Sequence, residues 1–249
     1  MLNKLVNKVK RRWIRWRYRP IRVFVFHHVS DERDTFVCQE PDWTQLVQFK
    51  RNIEILLQEY TFISLSEAYD KLQQDRFRFR KYAVLTTDDG LASVLNVLPW
   101  LEEKKIPITL FINTRYMEGD KLKPVHQRWL KDLAPEADTK AIAKRMYLSK
   151  EQVFELVSRY IEISMHGHEH LNAHTISETE FENNIEHCLH LLSDHPRYVS
   201  AYSYPWGKYT GSSLHYLHDH CIIPVAVDGG MNYIWKGYLS RECIDNVKL

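Results

Sequence analysis

The run Lys81-Tyr82-Ala83-Val84-Leu85-Thr86-Thr87-Asp88-Asp89-Gly90 sets the reading of the whole chain. A short apolar stretch leads straight into two adjacent carboxylates and a glycine. Neighbouring side chains on an extended strand point to opposite sides, so both acids reach one pocket only if the chain turns at Gly90. Carboxylates that close repel each other unless a cation neutralises at least one of them. One acid can then hold a metal while the other takes a proton from water. Asp-Gly is also a common turn former, so the stretch by itself reads as a turn as readily as a site.

Working outward, apolar strand patterns alternate with helical ones. Residues 22–26 read as a buried strand with His27 and His28 at its C-terminal end. Helical spacing follows over 43–57, then a short strand at 61–63 and a helix opened by Ser64-x-x-Glu67. Beyond the acids come a helix over 92–104 and a strand at 106–112. Residues 115–147 are basic and predicted helical after Pro124; they read either as an insertion forming a lid over a substrate or as a plain surface excursion. Ser149-x-x-Gln152 and Ser177-x-x-Glu180 open further helices around a strand at 161–163. A strand at 199–204 ends at Pro205-Trp206-Gly207, a helix spans 212–220, and strands close the chain at 222–227 and 238–241. This alternation predicts an α/β fold, a parallel sheet or barrel, whose sites form beyond the C-terminal strand ends. Asp88, Asp89, His166, His170 and Trp206 all fall at such ends.

His166-Gly167-His168-Glu169-His170 is dense in imidazoles. His166 and His170 stand four apart, so in a helix-like loop they share a face and can meet one cation with Asp89. His168 lies between them, points away and takes no ligand role.

Hydrophobic residues make up 44% of the 249 residues and charged residues 27%, ordinary for a globular protein. No run of 18 apolar residues suggests a membrane span. Cys38, Cys188, Cys221 and Cys243 form no CxxC pair, which argues against a thiolate zinc site and points to a reducing compartment. The net charge of +2 hides nine cations and no acid in residues 1–22, leaving the remainder at −7. Leu2, Val6, Val9, Trp13 and Trp16 form one apolar stripe opposite those cations, so residues 1–20 read as a basic amphipathic helix ended by Pro20. It suits the anionic inner face of the cytoplasmic membrane, or docking on the protein's own body or a partner. Nucleic acid is not expected as a partner, because the body is acidic and carries no nucleic-acid motif. The segment has no apolar core or cleavage site of a secretory signal, and a cytoplasmic protein, peripheral on that membrane, is the expectation.

The quoted run, followed by Pro99 and by Pro107-Ile108-Thr109-Leu110-Phe111, resembles the first motif region of the polysaccharide deacetylases, the NodB-homology domain of carbohydrate esterase family four. Residues 162–170 resemble that family's His-x-x-x-His motif, and Ser203-Tyr204-Pro205-Trp206-Gly207 its Tyr-Pro-x-Gly motif. Residues 25–29 and 63–68 resemble further recurring stretches, and the match runs in order from about residue 21 onward. The resemblance implies a single domain over 21–249 with a distorted (β/α)7 barrel that hydrolyses N-acetyl groups from a sugar in an acetylated glycan. It implies Asp88 as general base, Asp89, His166 and His170 as ligands of a divalent metal, and the Trp206 backbone N–H as oxyanion donor. One carboxylate and two imidazoles suit zinc. Tyr204, Pro205, Trp206 and His27 are the expected substrate-side residues.

The chain departs from the pattern in three places. Gly167 stands where the second motif usually has a hydroxyl residue. Ser203 stands where the third often has an arginine that holds the base; Arg241 resembles its substitute, against the plainer reading of a surface salt bridge. No histidine follows His220, so the general acid has no counterpart, although His27 could reach the site from another strand. Two alternatives keep the same residues: hydrolysis of O-acetyl esters or non-sugar amides, and a non-catalytic metal- or glycan-binding module. The second is disfavoured because Asp88, needed only for chemistry, is present.

Overall fold

A computed structural model describes residues 18–31, 43–74 and 79–244; the basic helix expected over 1–20 lies almost wholly outside them. The apolar runs become short parallel strands: β1 (Ile21–Phe26), β4 (Thr61–Phe62), β5 (Tyr82–Thr87), β6 (Ile108–Ile112), β7 (Ile161–Met165), β8 (Tyr198–Ser203), β9 (Ile223–Val227) and β10 (Leu239–Cys243). Neighbours run β1-β10-β9-β8-β7-β6-β5-β4. The ring closes because β1 also pairs with β5, in unbroken register from Ile21↔Tyr82 to Phe26↔Thr87. Seven strands therefore form the expected barrel. β4 is an addition to it, touching only the start of β5 at Thr61↔Tyr82 and Phe62↔Ala83. A separate pair, β2 (His28–Val29) with β3 (Trp43–Thr44), caps the end of β1.

Strand alternation divides the core in two. Phe24, Phe26, Leu85, Leu110, Ile163 and Met165 face outward and pack with Phe49 and Ile53 of α1 (Leu46–Glu59) and with Phe181 and Ile185 of the helix Glu178–Leu192. Ile21, Val23, Val84, Phe111, Ala201, Val225 and Leu239 face inward and meet Leu65, Ala68 and Leu72 of α2 (Leu65–Gln73). α2 thus stoppers the N-terminal end of the barrel. Glu162, inward on β7, accepts from Leu65 N–H (3.0 Å), the Ser66 hydroxyl and the Thr109 hydroxyl (2.9 Å), so a buried carboxylate meets the positive N-terminus of α2. The opposite end of the barrel is left for the site.

Local boundaries follow their chemistry. The capping boxes at Ser149/Gln152 and Ser177/Glu180 are complete in both directions. The helix expected over 43–57 starts later, at Leu46, because Trp43 and Thr44 pair with His28 and Val29. The helix expected over 92–104 is two pieces: a 3₁₀ turn, Ala92–Asn96, and α3 (Leu98–Glu103). Pro99 lies in the first turn of α3, where its missing N–H loses no bond but cannot continue the preceding turn.

Between β6 and β7 the region expected as an insertion is helical, with a 3₁₀ turn Thr114–Glu118, α4 (Pro124–Leu133) and α5 (Thr139–Met146), followed by α6 (Lys150–Glu155). It has its own apolar cluster of Leu91, Tyr116, Leu122, Leu130, Ala143, Met146 and Tyr147. Leu148 N–H donates to Gly90 O at 2.9 Å, tying this layer to the Asp-Gly turn. α7 (Glu178–Leu192) and α8 (Gly211–Asp219) complete the outer layer. No helix among the described residues is long and apolar enough to cross a membrane.

Candidate active site

Inward-facing positions one step beyond the apolar layer are polar: Thr86 and Asp88 from β5, Ser164 and His166 from β7, Ser203 from β8, Arg241 from β10. Each is two residues after an inward neighbour, so the period of the strand keeps them all on the inner face. The chain then turns with Asp89 at φ 74° and Gly90 at φ 70°. Two successive left-handed residues reverse the alternation, and Asp89 enters the same pocket as Asp88. The turn begins one residue earlier than expected, at an aspartate, a side chain that tolerates this region.

Asp88 and Arg241 form a buried two-pronged pair. Arg241 Nη1 donates to Asp88 Oδ1 at 2.7 Å and Nη2 to Oδ2 at 2.7 Å. Nη1 also donates to Thr86 Oγ1 at 3.0 Å, and Nη2 to Ser203 Oγ at 2.6 Å. The Ser203 hydroxyl in turn donates to Asp88 Oδ2 at 3.1 Å. Arg241 is fully buried, so the surface-salt-bridge reading is set aside. Burial pushes the Asp88 pKa up, but the Arg241 charge and its hydrogen bonds outweigh it and hold the carboxyl well below its usual range.

Asp89 Oδ1 faces His166 Nε2 at 3.4 Å and His170 Nε2 at 3.5 Å. These three can supply one donor each to a single cation. His166 Nδ1 lies 2.8 Å from the Ser203 carbonyl oxygen, an atom that only accepts, so Nδ1 carries the proton and Nε2 keeps its lone pair for a metal. Burial, aided by the Lys123 charge, holds His170 well below the usual imidazole range, against the pull of Asp89. Asp89 Oδ1 is buried and accepts no hydrogen bond, a costly state without a cation. The residues fit a divalent metal.

The remaining expected residues divide. His168 points away, with Nδ1 2.9 Å from Thr114 Oγ1 and its ring stacked on His187. Trp206 is exposed, not a core residue; its ring centre is 5.0 Å from that of His170, and its φ is 61°. Gly207 is required beside it, because a Cβ would come within 2.9 Å of Val227 N. Tyr204 and Pro205 are buried, and Tyr204 packs among Phe181, Tyr202 and Tyr209. They build the wall from behind and do not present a surface to a substrate. His27 follows directly on β1, at the same end of the barrel as Asp88.

Several residues escaped the sequence reading. Asn113 Nδ2 donates to the His166 and Gly167 carbonyls at 2.6 and 3.1 Å. Asn184 of α7 takes the His168 and Glu169 N–H groups on its Oδ1 and donates to Glu169 O, so amides clamp the histidine loop from two sides. Lys123 donates from its ammonium to Asp89 Oδ2. Burial would raise the Asp89 pKa, but the Lys123 charge outweighs it and holds the carboxyl well below its usual range. The one prior signal for any of these was Asn113 itself, visible as a polar residue closing an apolar strand.

Residues 78–222, more than half of the chain, match the family described as Polysaccharide deacetylase. The chain belongs to the polysaccharide deacetylase family. Membership places it among hydrolytic deacetylases. Solved deacetylases share the fold. IcaB from Ammonifex degensii superimposes with a TM-score of 0.70 at 17% identity, over 90% of this chain and 91% of that one. Streptococcus pyogenes deacetylase PplD, in complex with acetate, gives 0.66 at 16%, over 91% and 92%. The de-N-acetylase from Aggregatibacter actinomycetemcomitans gives 0.63 at 16%, over 89% and 94%. No curated protein matches the chain. The family match ends before β10, so Arg241 enters the deacetylase site on geometry alone.

Proposed function

We propose that this polysaccharide deacetylase is a metal-dependent hydrolase removing N-acetyl groups from a sugar of an oligosaccharide, polysaccharide or lipid-linked glycan, with zinc as the metal. One observation carries the reading: an ionised carboxylate, Asp88, is locked by Arg241 beside a second carboxylate whose Oδ1 faces two imidazoles and has no other partner. Asp89 Oδ1, His166 Nε2 and His170 Nε2 would hold the metal, which supplies Lewis acidity toward water and the acyl oxygen. Asp88 accepts a proton from the attacking water. Its pairing with Arg241 keeps it ionised and fixes its orientation for that role. The Trp206 N–H serves as donor to the acyl oxygen, and the exposed Trp206 ring offers an apolar face to a sugar.

The test is mass spectrometry for loss of acetyl from a panel of N- and O-acetylated oligosaccharides, with and without a chelator. N-acetyl loss that stops with chelator is expected; release from O-acetyl compounds alone would move the substrate class, and none from any compound would sink the reading. Asp88→Asn should lower acetate release by at least about 10²-fold with bound zinc retained. His166→Ala should lose zinc and activity together. Normal deacetylation by Asp88→Asn would rule out the assigned base.

A further inference from the structure

The insertion does something that the deacetylase motifs do not require: it sends a lysine into the site. Lys123 is 3% exposed, and its ammonium is bonded to Asp89 Oδ2. Its root is fixed. The Lys123 N–H donates to the Tyr147 hydroxyl at 3.1 Å, and that hydroxyl is also 2.6 Å from His126 Nδ1. Tyr147 adjoins Leu148, which bonds Gly90 O, and it bridges Leu91. Pro124 follows as the first residue of α4, with its φ preset. The lysine is therefore anchored to the same turn that carries its carboxylate.

Two consequences follow for the metal site. The oxygens of Asp89 are divided, Oδ2 to Lys123 and Oδ1 toward His166 and His170. Each acid also has its own buried cation, Arg241 for Asp88 and Lys123 for Asp89, so a divalent ion enters a pocket whose carboxylates are already neutralised. We propose that Lys123 is a positioning residue that makes Asp89 a one-oxygen ligand and, through its charge, lowers the affinity of the site for a divalent cation.

The inference rests on the metal reading above. A partner that only orients a ligand strengthens binding, and its loss costs about 10–100-fold in affinity. An ammonium works the other way as well: it draws charge from the ligand and repels the ion in a poorly screened interior. Substitution separates the two effects. Lys123→Gln keeps a donor for Oδ2 and removes the charge, whereas Lys123→Arg keeps the charge.

The experiment is equilibrium competition for zinc against a chelating dye, with circular dichroism as the check on folding. Lys123→Gln should bind zinc tighter by on the order of tenfold, while Lys123→Arg, which keeps the charge, should show no such gain. A folded Lys123→Gln that binds equally or more weakly overturns the proposal. A crystal structure of the zinc-loaded wild-type protein is independent of how any variant folds. Asp89 should meet zinc through Oδ1 alone with Lys123 on Oδ2; a two-oxygen contact or a displaced Lys123 overturns it. If wild type and variants all fail to bind zinc, the metal reading falls and this proposal falls with it. If zinc binds but the charge of residue 123 makes no difference, this proposal alone is lost.

Discussion

Arg241 is where a single residue matters most. It is a fully buried guanidinium with four hydrogen bonds, two of them to Asp88. Removing one partner of such a pair leaves the other charge buried without compensation. Arg241→Met should therefore cost about 3–5 kcal/mol of stability, read from urea unfolding. Adding Asp88→Asn should recover part of that loss, because the stranded charge goes too; additive losses would show that the two side chains are not energetically coupled. At this scale Asp88, Asp89, His166 and His170 were legible because each stands at a strand end, in a chemistry-bearing spacing. Arg241 was half legible: its residue type suited the task, but nothing local distinguished a buried arginine from an exposed one. Lys123 was not legible at all. It lies in a basic stretch, and its partner is 34 positions away.

Among the elements, α2 shows how a helix can be held by a residue in a distant strand. Ser64 caps it from its own sequence, accepting from Glu67 N–H, but the Glu67 side chain pairs with Lys71 at 3.2 Å and the capping box stays half made. The stronger contact is Glu162, whose carboxylate takes Leu65 N–H and two hydroxyls inside the barrel floor. Glu162→Ala should destabilise the protein by about 3 kcal/mol, since buried donors lose a charged acceptor. Amide exchange across Leu65–Gln73 should rise in that variant, and unchanged protection would mean that packing alone holds the helix. Glu162 read as an unremarkable polar residue between isoleucines, because a strand pattern does not say which face meets a helix N-terminus. By contrast the capping boxes at Ser149 and Ser177 were fully legible, being local hydrogen-bond patterns written within four residues.

For the molecule as a whole, alternating patterns made a parallel α/β fold legible and the resemblance made it a barrel, while the outer position of β4 was not, since it depends on which strands meet across the ring. Stability of the whole should fall on the acid side in part through His195, buried between the α7–β8 turn and α6. Its Nε2 faces Val153 O at 3.1 Å, and its Nδ1 accepts from Arg197 N–H at 3.0 Å, so the neutral ring satisfies both neighbours. Burial holds its pKa below the usual imidazole value. The unfolded chain is then the first to take up a proton as pH falls, and the stability from the neutral ring is complete above about 6.5 and lost as pH falls through the folded value. Unfolding curves from pH 8 to 5 should slope less in His195→Gln than in wild type; parallel slopes would assign the acid sensitivity elsewhere. The ring of strands has one more consequence. In it the first and last strands, β1 and β10, lie side by side, with Arg22 clamped on Glu242 at 2.6 and 2.7 Å across 220 positions of sequence. Such a pairing joins residues far apart in sequence, and contacts of that kind slow folding. Arg241 rides on β10, so the partner of Asp88 arrives only when that strand has docked. Recovery of hydrolysis during refolding should therefore keep time with the docking of β10, and activity that returns before β10 amides are protected from exchange would overturn that link.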